Sequence, residues 1–455
     1  MTVGSTNLFF NRDTKVYLAQ GSTIWELPVL NGYSFSQNTN SSNVTLSEMT
    51  DTNGRSRRGQ RMFNDSLAPA EWSFDIYARP TIVSTLHRAP EEALWQSLFS
   101  NRPFSLAQST TGVVPTAGTV TTAGGVSTVT LTVTSANTLF TVGDAINVAG
   151  VTATSNPPNG TFTTTAVTAT TVSYVTNLAP TGPLVVTSAV VRSGTTTSTN
   201  AQLDFTPLGS NRASLATFDL YFVLGANNHL SGGGTANYSA SGNTTIYRIE
   251  NACVNEATLN FDVEGIATIS WAGMGSRLSE LSTYDASSAL QIGLASNNNM
   301  IRNRLTSASL VGVSPTQVAK TYNIALTGGS ITISNNMSFL TPETLGVVNV
   351  PLGHVTGNRS VSGSLTCYAD EATNGSLDLY EDLLLATTAV TNRFQLQLNI
   401  GGITAPSVQF DLGNCHLEVP TINNDDVIAF EVNFTGLPST ISGSDELNRV
   451  RYVGV

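Results

Sequence analysis

The sequence predicts a mainly β protein: two tandem β-sandwich or barrel modules, each carrying one packed α-helix, with a small all-β domain inserted into the first. Three observations predict it. Most periodic segments alternate apolar and polar residues with period two, as half-buried strands do. Two helical segments stand far apart in matching surroundings. Between Pro103 and Leu203 the only charged residues are Asp144 and Arg192, and the composition turns to Thr, Val, Ala and Gly.

Taken in order, the strands are YSFSQNTNSSNVTLSEM (33–49), EWSFDIYA (71–78), ATFDLYFVL (216–224), ATLNFDVEGIATISWAG (257–273) and RFQLQLNI (393–400). The first helix, PEEALWQSLFS (90–100), opens on Pro and two glutamates and spaces Ala93, Leu94, Trp95 and Leu98 along one side. The second is SLDLYEDLLLATT (376–388). Each helix follows a strand ending in an aromatic, EWSFDIYARP in one case and SGSLTCYADE in the other. Each is followed later by a matched strand pair, 251–273 and 413–436, which sets Cys253 against Cys415 and Glu256 against Glu418. One duplicated unit explains both sets. Within the low-charge stretch, GGVSTVTLTVTSANTLFTVGDAINVAG and GTFTTTAVTATTVSYV alternate cleanly, which favours a folded domain over a Thr-rich linker. The expected division is module 1 from 1–106 and 201–278, the insertion at 107–200, a linker at 279–299 and module 2 at 300–455.

Charged residues make up 11% of the chain, against about 25% in ordinary soluble domains, and the net charge is −11. A neutral, polar surface suits a chain whose neighbours cover much of it, and the acidic balance argues against a general nucleic-acid binder. Lys15 and Lys320 are the only lysines. Arginine chosen for bidentate interface contacts and a GC-rich coding genome explain this bias equally well. The N-terminus lacks the apolar core of a signal peptide, and nothing approaches the ~20 apolar residues of a membrane span. Cys253, Cys367 and Cys415, odd in number and widely spaced, do not suggest a disulfide framework.

No catalytic constellation emerges. His87, His229, His354 and His416 lie far apart without ligand-spaced partners, and no Walker loop, GxSxG or HExxH motif occurs. Asp425–Asp426 in NNDD reads as a solvated turn, and Glu91 and Glu92 as helix N-terminal charges. NVT at Asn43 and NRS at Asn358 match a glycosylation sequon, without weight in a chain not secreted. Gly328–Gly329 and Gly401–Gly402 read as hairpin turns. The chain is expected to be no enzyme and to need no metal and no cofactor.

Three long stretches, RRGQRMFNDSLAPAEWSF, TGGSITISNNMSFLTPETLGVVNVPLGHVTGNRSVSGSLTCYA (327–369) and GSLDLYEDLLLATTAVTNRF (375–394), resemble the major tail tube proteins of long-tailed bacteriophages. The likeness is to the duplicated subtype, whose chains carry two tube modules, and it covers nearly everything outside the insertion. It implies a structural virion protein in the phage tail, made in the host bacterial cytoplasm. Three chains would form a ring, and rings would stack into a hollow conduit for the genome. Its implied partners are copies of itself, the tape-measure protein and DNA in the lumen without specific binding, and the tail terminator and baseplate or tip proteins. The insertion departs from the core pattern and looks like the immunoglobulin-like or related decorations of phage tails. A surface adhesin or glycan-binding β-protein is the alternative reading, and it needs an export signal.

Arg55, Arg57, Arg58 and Arg61 cluster just before a turn-like MFND, between strands 33–49 and 71–78. The resemblance places there a loop that reaches the neighbouring ring, with 338–359 as its low-charge counterpart in module 2. Arginines on such a loop can make fork-shaped pairs with carboxylates across the ring boundary. A DNA-binding loop fits poorly, because DNA must slide. Residues 311–455 hold 5 basic and 13 acidic residues, 5 − 13 = −8 of the net charge, which suits a lumen that repels phosphates.

Overall fold

The computed structural model describes residues 9, 11–44, 53, 61–101, 104, 112–123, 126–140, 142, 145–193, 196–198, 202–207, 215–226, 236–240, 244–294, 298–312, 320–341, 350–385, 394–424, 427–438 and 445–455. The first module contains β1 (Lys15–Gln20), β2 (Thr23–Leu27), β3 (Ser34–Val44), β4 (Arg61–Tyr77), α1 (Glu92–Phe99), β5 (Phe218–Leu224), β6 (Thr245–Asp262), β7 (Thr268–Gly275) and β8 (Arg277–Leu281). The second contains β9 (Ser307–Gly312), β10 (Thr321–Asn323), β11 (Leu326–Ser334), β12 (Ser360–Tyr368), α2 (Ser376–Leu385), β13 (Phe394–Ile400), β14 (Ser407–Leu417), β15 (Thr421–Asn424), β16 (Ile428–Gly436) and β17 (Arg449–Val453).

The duplication is visible pairing by pairing. β1 pairs with β5, β5 with β6, β6 with β7, β7 with β4 and β4 with β3, all antiparallel. In the same relation β9 pairs with β13, β13 with β14, β14 and β15 with β16, β16 with β12 and β12 with β11. β8 lies beside the first half of β6 as β17 lies beside the first half of β14. Backbone contacts align the copies. The Ala78 N–H donates to the Ala267 carbonyl, as that of Ala369 does to Ile428. Phe218 faces Ala252 as Phe394 faces Cys415. Cys415 therefore corresponds to Ala252, and the expected matches of Cys253 with Cys415 and Glu256 with Glu418 are displaced by one residue. Both copies carry a β-bulge at the same place, between Val254 and Glu256 in β6 and between Leu417 and Thr421 in the other, so the one-residue displacement is the same on either side of it. Each bulge adds one residue to its own strand.

β4 is longer than its alternation suggests. The turn-like MFND lies inside it, with Met62, Phe63 and Asn64 paired to Asn43, Ser42 and Ser41. Gly328–Gly329 is likewise strand, within β11, and not a hairpin turn. A Cβ at Gly329 would stand 2.7 Å from the Phe261 ring, so glycine there makes room for an aromatic on the next strand. Gly401 and Gly402, with φ of 82° and 90°, do turn the chain between β13 and β14.

The modules share one hydrophobic core. The second half of β6 pairs with β7 on one side and with β11 of the second module on the other, from Glu256 opposite Ser334 to Asp262 opposite Gly328. The result is a continuous run of strands in the order β3, β4, β7, β6, β11, β12, β16, then β14 and β15. α1 wedges between the modules and all eight of its residues are buried. Its Trp95 meets Trp271 of its own module and Phe410 and Tyr452 of the other, and donates its ring N–H to the Tyr452 hydroxyl at 2.7 Å. α2 is seated by Ser376, whose hydroxyl accepts from the Asp370 N–H and donates to the Tyr368 carbonyl.

Six strands between Ala117 and Ser193 form a separate sheet with its own core of Val129, Leu131, Ile146, Val148, Tyr174 and Val191. Val113 and Val191 exchange backbone hydrogen bonds of 2.8 and 2.9 Å, so chain enters and leaves this unit at one point. Thr196–Ser198 pairs with Leu203–Phe205, which pairs with β17 in the main sheet.

Candidate functional site

The shared sheet has two chemically opposite faces. Across seven strands one row reads Ile76, Ile269, Leu259, Ile331, Gly363, Phe434 and Leu417. All but Gly363 are buried in the core. The adjacent row, on the other face, reads Asp75, Ser270, Thr258, Thr332, Ser362, Thr435 and His416, and crosses the module boundary without a break. At that boundary the Thr258 and Thr332 hydroxyls are 2.9 Å apart. Period-two alternation produces this division, since successive side chains point to opposite faces.

Glu71, Asp75, Glu256, Asp262 and Glu431 stand on the polar face, and beside it Glu418 accepts from the Asn433 amide at 3.0 Å. No lysine or arginine occurs in the sheet-forming stretches 70–77, 256–262, 268–275, 328–334, 360–368 and 429–436. The surface is hydroxyl-rich and anionic. It can hold water and repel phosphate, and these stretches offer no lysine or arginine to grip it. The alternation in the sequence carried this information, but choosing the outward set required knowing that both modules share one sheet.

Of the residues singled out in the sequence, Arg55, Arg57 and Arg58 lie outside the described residues. Arg61 opens β4, paired in backbone register with Val44 at the far end of the β3–β4 hairpin. Glu92 accepts from the Trp25 ring N–H at 3.0 Å and pairs with Arg88. Glu91 is wholly buried; the Tyr452 hydroxyl stands beside its carboxyl, yet neither oxygen has a hydrogen bond of ordinary geometry. Burial pushes its pKa up to about 7. His87 accepts from the Gly454 N–H and His354 from the Leu215 N–H, so both are tied into the structure, and His416 is exposed on the polar face. His229, Asp425 and Asp426 fall outside the described residues. The three cysteines are free and buried, with thiol pKa values pushed up by burial to about 12, 11 and 12 for Cys253, Cys367 and Cys415. Among the described residues no group of three or more His, Cys, Asp and Glu is placed to hold a metal ion.

A sequence model described as phage tail tube protein matches residues 189–436, more than half of the chain. The chain belongs to the phage tail tube proteins. It is also similar to the tail tube protein pb6 of Escherichia phage T5, 26% identical over 454 residues, covering 96% of this chain and 74% of that protein. As a tail tube protein it is a structural component of the virion, and the adhesin reading finds no support. The mainly β architecture agrees with this membership. No helix among the described residues is long and apolar enough to cross a membrane.

Proposed function

We propose that this chain is the major tail tube subunit, that three copies close into a ring, and that stacked rings form the conduit for the genome. One observation carries the reading: among the described residues a single sheet runs through both modules, with two open edges and a polar face whose shared stretches carry no lysine or arginine. A sheet with open edges is completed by neighbours. Counting β14 and β15, which follow each other along β16, as one position gives eight across each copy, and three copies supply 3 × 8 = 24. At roughly 4.8 Å spacing and ~40° tilt these enclose a bore on the order of 50 Å between backbones. The polar face then lines the bore, where carboxylates and hydroxyls let DNA and a tape-measure protein slide without specific binding. Tail terminator and baseplate or tip proteins would meet the ends of such a tube.

In the same reading the domain map is 1–106 and 201–278 for module 1, 107–200 for the decoration, 279–299 for the linker and 300–455 for module 2. The arginine-bearing tip of the β3–β4 hairpin reaches the next ring. Met62 and Phe63 near that tip are each 60% exposed, which suits a surface destined for cover. Negative-stain imaging of purified protein at high concentration tests the reading: hollow filaments with three-fold end views are expected. Monodisperse single chains at every concentration would overturn it. Serine at Arg55, Arg57, Arg58 and Arg61 should leave folded rings that stack poorly, and tubes of normal length would remove these residues from that role.

A further inference from the structure

Each strand pairing in module 1 described above has its twin in module 2, with one exception. The pairing of β6 with β11, which joins the modules, has no second instance among the described residues. Its would-be partners both lie open: among the described residues β3 pairs with β4 alone and β15 with β16 alone. We infer that β15 of one copy pairs antiparallel with β3 of the next, in the register that β6 and β11 use inside the chain. The inference rests on the ring reading above and specifies its interface.

The register follows from the structural alignment. Thr258 corresponds to Thr421 and Leu259 to Ile422, each facing the equivalent residue of β7 or β16. Thr332 corresponds to Ser36 and Ile331 to Phe35, by their pairing with β12 and β4. The internal pairs Thr258–Thr332 and Leu259–Ile331 thus become Thr421 opposite Ser36 and Ile422 opposite Phe35 between copies. Both pairs match chemically, hydroxyl to hydroxyl on the polar face and apolar to apolar beneath it.

Burial supplies an independent argument. Leu259 is 1% exposed where β11 covers it, whereas its twin Ile422 is 45% exposed. Ala267 is 0% exposed and its twin Ile428 50%. Ile422 and Ile428 belong to an apolar groove that also takes in Tyr380 and Val427 beside α2. The groove is the place that the neighbouring module fills in module 1, and a second copy is the occupant whose shape is already present in the chain.

Disulfide trapping tests this. The native cysteines are buried, so Thr421→Cys and Ser36→Cys placed together in one full-length chain report on the new contact alone. Mild oxidation of assembled tubes should give covalent species that end at closed trimers on a non-reducing gel. A mixture of the two single variants should give dimers only. Thr258→Cys with Thr332→Cys must close within one chain and checks that the geometry permits the bond. Thr421→Cys with Ser34→Cys, two residues out of register, should trap far less. Tubes that assemble without trapping, or that trap the shifted pair better, would overturn the register while leaving the tube reading intact. Absence of any assembly by the unaltered chain would overturn both.

Discussion

Arg451 holds Asp204 with a two-pronged grip, Nε to Oδ1 at 2.7 Å and Nη2 to Oδ2 at 3.0 Å. Arg451 lies on β17, four residues from the C-terminal Val455, and Asp204 lies on the short strand just after the insertion. The pair therefore fastens the end of module 2 to module 1. Asp204 is 7% exposed, so losing Arg451 would leave a buried charge held, among the described residues, only by the Gln202 amide, 2.8 Å from Oδ2. Arg451→Ala should cost about 3 kcal/mol, and Arg451→Lys somewhat less, because a single ammonium cannot make both contacts. Urea denaturation of each variant, with Asp204→Asn to complete the cycle, measures the coupling.

Glu91 should make stability depend on pH. Its carboxyl is held up to about 7 by burial, above the ordinary carboxylate value of 4.5. The folded state then keeps a proton that the unfolded state releases, so stability declines as pH rises from 4.5 to about 7 and levels off above that. The ceiling on this loss is about 3 kcal/mol. Glu91→Gln should flatten the slope and raise the melting temperature at pH 8, with little change at pH 4.5. A variant that melts lower at pH 8 would show that the charge is stabilised by a partner.

Removing the decoration should leave the tube intact. Because Val113 and Val191 face each other across two hydrogen bonds, replacing 114–190 with a short Gly/Ser bridge asks for no movement of the main sheet. The shortened chain should assemble tubes of smaller outer diameter and unchanged bore. Insoluble protein on expression would place the six-stranded unit within the folding core.

Reversing charge on the polar face should convert a sliding surface into a holding one. Asp75→Lys with Glu431→Lys alters two exposed positions and leaves the core rows untouched. Purified tubes of the double variant should retain labelled duplex DNA at low salt and release it at high salt, whereas the unaltered tube retains none. Equal retention by both would mean that these side chains do not face the bore.

Much of the fold was legible because alternation and duplication are local signals. Both helices lie where Pro90 and the Ser376 segment announce them, and the strand pairs stand near their expected positions. Three features escaped for physical reasons. MFND looks like a turn, but a two-stranded hairpin running clear of the sheet tolerates such residues with both faces exposed. Gly328–Gly329 looks like a turn until the Phe261 ring is seen to occupy the space. The match of Cys253 with Cys415 misleads because identical residue types one position apart invite it, and only their strand partners, Phe218 opposite Ala252 and Phe394 opposite Cys415, fix the true register. The candidate surface was half legible: its acidity could be counted, but the row from Asp75 to His416 depends on a contact between residues in different modules.

The length of β6 has a mechanical consequence. Its first half runs between β5 and β8, and its second half between β7 and β11. One strand thereby stitches two layers, and no single ladder can part without dragging the other. In a closed ring the inter-strand hydrogen bonds point around the circumference, so an outward push from within loads every bond of a ladder at once instead of peeling them singly. The seam between modules, which looks like the weak point of a duplicated chain, is spliced by that strand. In the proposed ring the joint between separate copies is served by the short β15, and a ring under strain should open there first.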